Sequence, residues 1–220
     1  MTMRSIKKEE RKAKAFCLSK KDETGFTLLE LMIAMAIGLF VIGATYGVFT
    51  MQNKTLGNQE QIAETQQSAR AAMDMMVKEI RMAGHDPLGT AGAGIVSAGA
   101  DSINFTLDIT SSYGTDEPDG DIADPNENIT YSLYTSDGIQ KLGRKSTAGA
   151  SNQPLAENVQ SLGFQYYDAN GSVTADTASI RRIQVTITVR TAKPDPNYTP
   201  NGGYRTYTLT SIITPRNLGL

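Results

Sequence analysis

The chain has 220 residues, 40% of them hydrophobic and 20% charged, which suits one folded domain with an appendage. A formal net charge of −2 argues against a polyanionic partner, and a single histidine excludes a multi-histidine metal site or a histidine-based triad. Cys17 is the only cysteine, so the chain cannot form an internal disulfide.

The charge is unevenly placed. Residues 1–25 carry eight basic side chains, among them Arg4, Arg11, Lys20 and Lys21, against Glu9, Glu10, Asp22 and Glu23, a net +4 that leaves −6 for the remainder. The apolar stretch GFTLLELMIAMAIGLFVIGATYGVF follows at once. By the positive-inside bias the basic end stays cytoplasmic and the rest crosses. From Leu31 to Met51 there are 21 residues without a charge, about 32 Å of helix, close to the thickness of a bilayer core. A secretory signal has an apolar region of only about 7–15 residues with small residues at its cleavage site, which Tyr46 to Phe49 do not resemble.

A plain signal-anchor helix explains the length and the flanking charge but not Glu30. A charge at the bilayer centre costs about 2.5–3.5 kcal/mol even on lenient insertion scales. One reading is a capping box: Thr27-Leu28-Leu29-Glu30 has the spacing in which Thr27 caps the helix and Glu30 reaches back to a free N–H. The other comes from family resemblance. GFTLLELMIAMAIG resembles the amino-terminal processing motif of type IV prepilins and type II secretion pseudopilins: a short basic leader, Gly25, Phe26 and a glutamate five residues into the mature chain. The resemblance implies that a prepilin peptidase cuts after Gly25 and N-methylates Phe26, removing residues 1–25 as a leader. Glu30 would then lie four residues from the new Phe26 ammonium, on one helix face. It would pair with that ammonium, or a neighbouring subunit's, and set the register between subunits.

Residues 26–51 thus read as a transmembrane or filament-core helix. Gly43 and Gly47 form a G-x-x-x-G pair for close helix approach. Residues 52–84 read as the amphipathic continuation. Ala69, Met73, Met76, Ile80 and Ala83 recur at steps of four and three, while Arg70, Asp74, Lys78, Glu79 and Arg81 mostly occupy other faces. Gly84 with Asp86-Pro87 supplies the stop, and His85 helps end the helix.

From residue 95 to 220 the period changes to two. Ile103, Phe105, Leu107 and Ile109 alternate, as do Ile129, Tyr131 and Leu133 before an Asp137-Gly138 turn into IQKLG. Leu162, Phe164 and Tyr166 lead to Asn170-Gly171; Ile183, Val185, Ile187 and Val189 form the clearest strand, and YRTYTLTSIIT the last. The expected fold class is α+β: a long amino-terminal helix packed on an antiparallel β-sheet domain, as in type IV pilins.

The acidic loop DEPDGDIADPNEN groups Asp116, Glu117, Asp119, Asp121, Asp124, Asn126 and Asn128. It reads first as solvated surface. Calcium is the alternative cofactor, with Asp119, Asp121, Asp124 and Asn126 as candidate ligands, although the spacing does not fit an EF-hand. The basic pairs Arg144-Lys145 and Arg181-Arg182 read as solvated strand ends, and no nucleic-acid partner is expected. No cysteine nucleophile survives processing, and neither a P-loop nor a dinucleotide-binding glycine motif is present, so no enzyme is expected.

The stretches MDMMVKEIRMAGHDP, VQSLGFQYYDANG and SIITPRNL are similar to the minor pilins called PilW, and less so to pseudopilin J of type II secretion. This resemblance implies a minor pilin that helps start a type IV pilus or sits near its tip. Its partners would be other pilins and minor pilins, the prepilin peptidase, the assembly platform and inner-membrane lipid. Before assembly it would cross the bacterial inner membrane once, with its carboxy-terminal domain periplasmic. A pseudopilin of a secretion system is the alternative, and a periplasmic binding domain on a permanent anchor a third.

Overall fold

A computed structural model describes residues 25–110 and 117–219. The expected leader to Thr24, with Cys17, and the loop residue Asp116 lie outside them. The described elements are helix α1 (Leu28–Met82), then strands β1 (Ile95–Ala98), β2 (Ser102–Thr106), β3 (Asn128–Ser136), β4 (Ile139–Lys145), β5 (Gln153–Glu157), β6 (Val159–Tyr167), β7 (Arg182–Arg190) and β8 (Thr206–Ile213). The chain divides into two compact units between Lys54 and Thr55.

The first unit is the amino-terminal part of α1. Every large apolar side chain from Leu28 to Met51 is exposed. Among the described residues, α1 is the one helix long and apolar enough to cross a membrane. Its threonine hydroxyls are satisfied internally: Thr45 Oγ1 donates to the Val41 carbonyl at 2.8 Å and Thr50 Oγ1 to that of Gly47 at 2.9 Å. Such back-bonding removes the cost of a bare hydroxyl in hydrocarbon.

The second unit begins with the rest of α1, whose Ala69, Met73, Met76 and Ile80 are buried, together with Ala72 and Ala83. The expected stripe therefore meets the sheets. Gly84 follows with φ +79°, the left-handed conformation that ends a helix and suits glycine. The orphan carbonyls of the last turn find partners. Arg216 N donates to Arg81 O at 3.0 Å, Asn217 Nδ2 to Met82 O at 3.3 Å, and His85 N to Met82 O at 3.0 Å. The carboxy-terminal segment is thus tied to the helix end by hydrogen bonds, without a disulfide.

The strands form two antiparallel sheets, not one: β1-β2-β3-β4-β5 and β6-β7-β8. The sheets part at Asn158. Its φ of +55° lets a single residue turn the chain from β5 into β6, which pairs with β7 instead. Two ties join them again: Phe164 N donates to Ala100 O at 2.8 Å, and Tyr166 Oη donates to Gly99 O at 2.8 Å. Ile183, Val185, Ile187 and Val189 are all buried, as the alternation required. Leu107 and Ile109 lie beyond the end of β2, because the alternation breaks at Thr106, itself buried.

Candidate functional site

The processing motif lies where α1 starts. Gly25, Phe26 and Thr27 are non-helical and Phe26 is 88% exposed, so the Gly25–Phe26 bond sits in open backbone ahead of the first turn. Thr27 and Glu30 form a complete capping box. Glu30 N donates to Thr27 Oγ1 at 3.2 Å, while Thr27 N and Oγ1 both donate to Glu30 Oε2 at 3.2 Å. In this chain the Phe26 nitrogen is a peptide nitrogen, so Glu30 caps the helix. An ammonium at Phe26 arises only if the Gly25–Phe26 bond is cut. The capping geometry and the expected ammonium pairing thus concern the same carboxylate, before and after such a cut.

At Gly43 and Gly47 an added Cβ would meet nothing within 4 Å. The small face is open in the single chain.

In the second unit the acidic loop brings Asp119, Asp121 and Asp124 together, with one carboxylate oxygen from each within 4.8 Å of the others. Asn126, the fourth candidate, is used elsewhere: its Oδ1 accepts from Arg144 Nη2 at 3.0 Å. Calcium takes six to eight oxygens, so backbone carbonyls or waters would have to complete a site built on these three. Buried Glu127 anchors the loop from below. Its Oε1 accepts from Ile109 N at 2.9 Å and Thr110 N at 2.8 Å, and its Oε2 from Asp124 N at 3.2 Å.

Arg144 corrects the reading of the basic pairs. It is 6% exposed and no solvated strand end. Arg144 Nη2 lies 3.0 Å from Glu79 Oε1, and Tyr131 Oη donates to Glu79 Oε2. Glu79, read as lying off the buried stripe, thus links α1 to β3 and β4. Burial works against the Arg144 charge, but the Glu79 carboxylate more than offsets it and raises its pKa. Burial, and then the Glu79 charge, push the Tyr131 hydroxyl up. Sequence reasoning missed this group because its members lie up to 65 residues apart. One local signal existed: a tyrosine and an arginine at apolar-phase positions of neighbouring strands.

The β7–β8 loop is held by a second ion pair. Asp195 Oδ2 accepts from Arg205 Nη2 at 3.0 Å, and Asp195 Oδ1 accepts from Asn197 N at 3.0 Å. Lys193 N donates to Gln61 Oε1 on α1 at 3.1 Å. The Asn197 amide, then the Arg205 guanidinium, hold the Asp195 carboxyl below its ordinary value of 3.8. A lowered folded pKa means that the charged form favours the fold. The contribution is complete above about pH 3.8 and lost as the pH falls through the lowered value. Limited proteolysis should therefore find residues 191–205 opening below about pH 3.8, whereas Asp195→Asn should cleave alike at pH 3 and pH 6.

Residues 20–46 match the prokaryotic N-terminal methylation motif. No curated protein matches the chain. Among solved structures, a type IV-like pilin from Thermus thermophilus is similar at 11% sequence identity, over 69% of this chain and 97% of that one, with a TM-score of 0.45.

Proposed function

We propose that this type IV prepilin-like chain is a minor pilin of the PilW type, a structural subunit that helps initiate a type IV pilus or lies near its tip. The observation that carries the proposal is the methylation motif at residues 20–46, with Gly25 and Phe26 in exposed, non-helical backbone directly ahead of an apolar helix. The prepilin-like amino terminus is that of a structural subunit, not of an enzyme. A peptidase active in the membrane reaches such a bond without unwinding a helix. Cleavage releases the basic leader and leaves the apolar helix on the protein, ready to leave lipid for the packed core of a filament. Every large apolar side chain from Leu28 to Met51 is exposed and available for that transfer. The working location is the bacterial inner membrane, with the basic end cytoplasmic and the sheets periplasmic. The partners are other pilins, the prepilin peptidase and the assembly platform.

Mass spectrometry of the mature amino terminus tests the reading. N-methyl-Phe26 as the first residue is the expected result; an intact Met1 in the membrane-assembled protein would overturn it. Deletion of the gene separates clients: loss of surface pili supports a pilus subunit, and loss of exoprotein release with pili retained supports a pseudopilin.

A further inference from the structure

From Leu107 to Asn128 the chain carries seven acidic side chains and no basic one. Two of the acids, Asp108 and Glu127, are fully buried. Burying a carboxylate is costly unless hydrogen bonds or a cation compensate it. Among the described residues neither has an ion-pair partner. Hydrogen bonds compensate Glu127, because Ile109 N, Thr110 N, Thr110 Oγ1 and Asp124 N all donate to it.

Asp108 lacks that compensation. Its Oδ2 accepts from Gly120 N at 3.1 Å, and its Oδ1 is buried with no hydrogen-bond partner. The carboxyl is turned toward the acidic loop, since Gly120 is the residue between Asp119 and Asp121. Both ends of this contact are held. Asp108 N donates to His85 O at 2.7 Å, just past the end of α1. Gly120 has φ +88°, which glycine adopts readily, and a Cβ there would collide with Thr90 Oγ1. The orphan oxygen thus backs a loop in which Asp119, Asp121 and Asp124 each bring one carboxylate oxygen within 4.8 Å of the others. Like charges that close repel one another unless a cation lies among them.

We infer that this loop is a calcium site. Asp119, Asp121 and Asp124 hold the ion from the solvent side, and the Asp108 oxygen completes it from the buried side, directly or through a bound water. The ligand chemistry selects the ion. Every side-chain donor is a carboxylate oxygen, and no histidine or cysteine belongs to the group, which disfavours zinc and copper. Magnesium demands near-ideal octahedral geometry and usually takes only one or two carboxylates, whereas calcium accepts irregular sets of carboxylates, carbonyls and waters. Spacing had offered Asn126 as the fourth ligand; the structure puts Asp108, from beyond the end of β2, in its place. The ion would tie the end of β2 to the loop. Calcium binding here is independent of the filament reading, which would survive its failure.

Full-length protein in detergent, stripped of metal with a chelator, is titrated with calcium chloride by calorimetry and melted with and without calcium. The expected result is one saturable site with a Kd of about 10⁻⁴ M, as in extracellular calcium modules. About 10 mM calcium should then raise the melting temperature by about 5–10 °C. Asp121→Asn and Asp108→Asn should each weaken binding by about tenfold or more. Asp74→Asn, which removes an exposed acid on α1, should leave it unchanged. Asp121 is exposed, so its variant locates the site even if Asp108→Asn fails to fold. Absence of saturable binding and of any melting shift would overturn the site and leave the Asp108 oxygen to a water. An equal response to magnesium chloride, full calcium binding by Asp121→Asn, or loss of binding in Asp74→Asn would overturn it as well.

Discussion

Glu30→Gln is expected to be processed and inserted normally yet to enter filaments at no more than about a hundredth of the native level. The substitution separates the two states of this side chain. Glutamine satisfies a capping box as glutamate does, so the bonds to Thr27 at 3.2 Å persist and α1 still starts at Leu28. What disappears is the negative charge. If the Gly25–Phe26 bond is cut and the subunit polymerises, as we propose, that charge would face the Phe26 ammonium, its own or a neighbour's, in a filament core with little water. Removing one partner of a buried ion pair strands the other at a cost of about 3–5 kcal/mol. At 1.4 kcal/mol per decade, that is about a hundredfold or more in incorporation. Quantitative immunoblotting of sheared filaments against membrane-retained protein gives the ratio. Native incorporation of Glu30→Gln would reduce Glu30 to a helix cap. Glu30→Ala, which removes cap and charge together, should also lower the level in the membrane, and Glu30→Gln should not.

Arg144→Ala is expected to lower the stability of the second unit by about 3 kcal/mol, the low end for a broken buried pair because Glu79 is partly reached by water. For a unit of this size the melting temperature should fall by about 6–12 °C. The cause is the charge left behind. Glu79 keeps the Tyr131 hydrogen bond but loses the guanidinium that lies 3.0 Å away. The double change Glu79→Leu with Arg144→Met should cost much less than Arg144→Ala alone, because no charge then remains in the interface. Thermal melts of the full-length variants in one detergent decide the order. If the double variant melted lowest, the group would be stabilising by attraction rather than costly only when half removed.

These two residues mark how far the sequence reaches. Glu30 was legible because its signal is local: one charge in an apolar run, three residues after a threonine, next to a Gly-Phe pair. The strand faces of β3, β6 and β7 were legible for the same reason, since alternation is a property of neighbours. The Glu79–Arg144 contact was not. Each residue alone looks like solvated charge, and only the docking of α1 onto β3 and β4 makes the pair. Asn126 is similar: its place in the acidic loop made it a candidate calcium ligand, and only packing shows that its amide oxygen accepts from Arg144.

By itself, then, the sequence determined the long helix and its change from wholly apolar to one-sided, the alternating strands, and the processing motif at its start. All of these are encoded in residues within a few positions of one another. Tertiary structure alone decided the split into two sheets at Asn158, the tie of the carboxy-terminal segment to Arg81 and Met82, and the burial of Arg144. The reason is range. Periodicity fixes which way a side chain faces, but which partner it meets depends on contacts between segments distant in the chain.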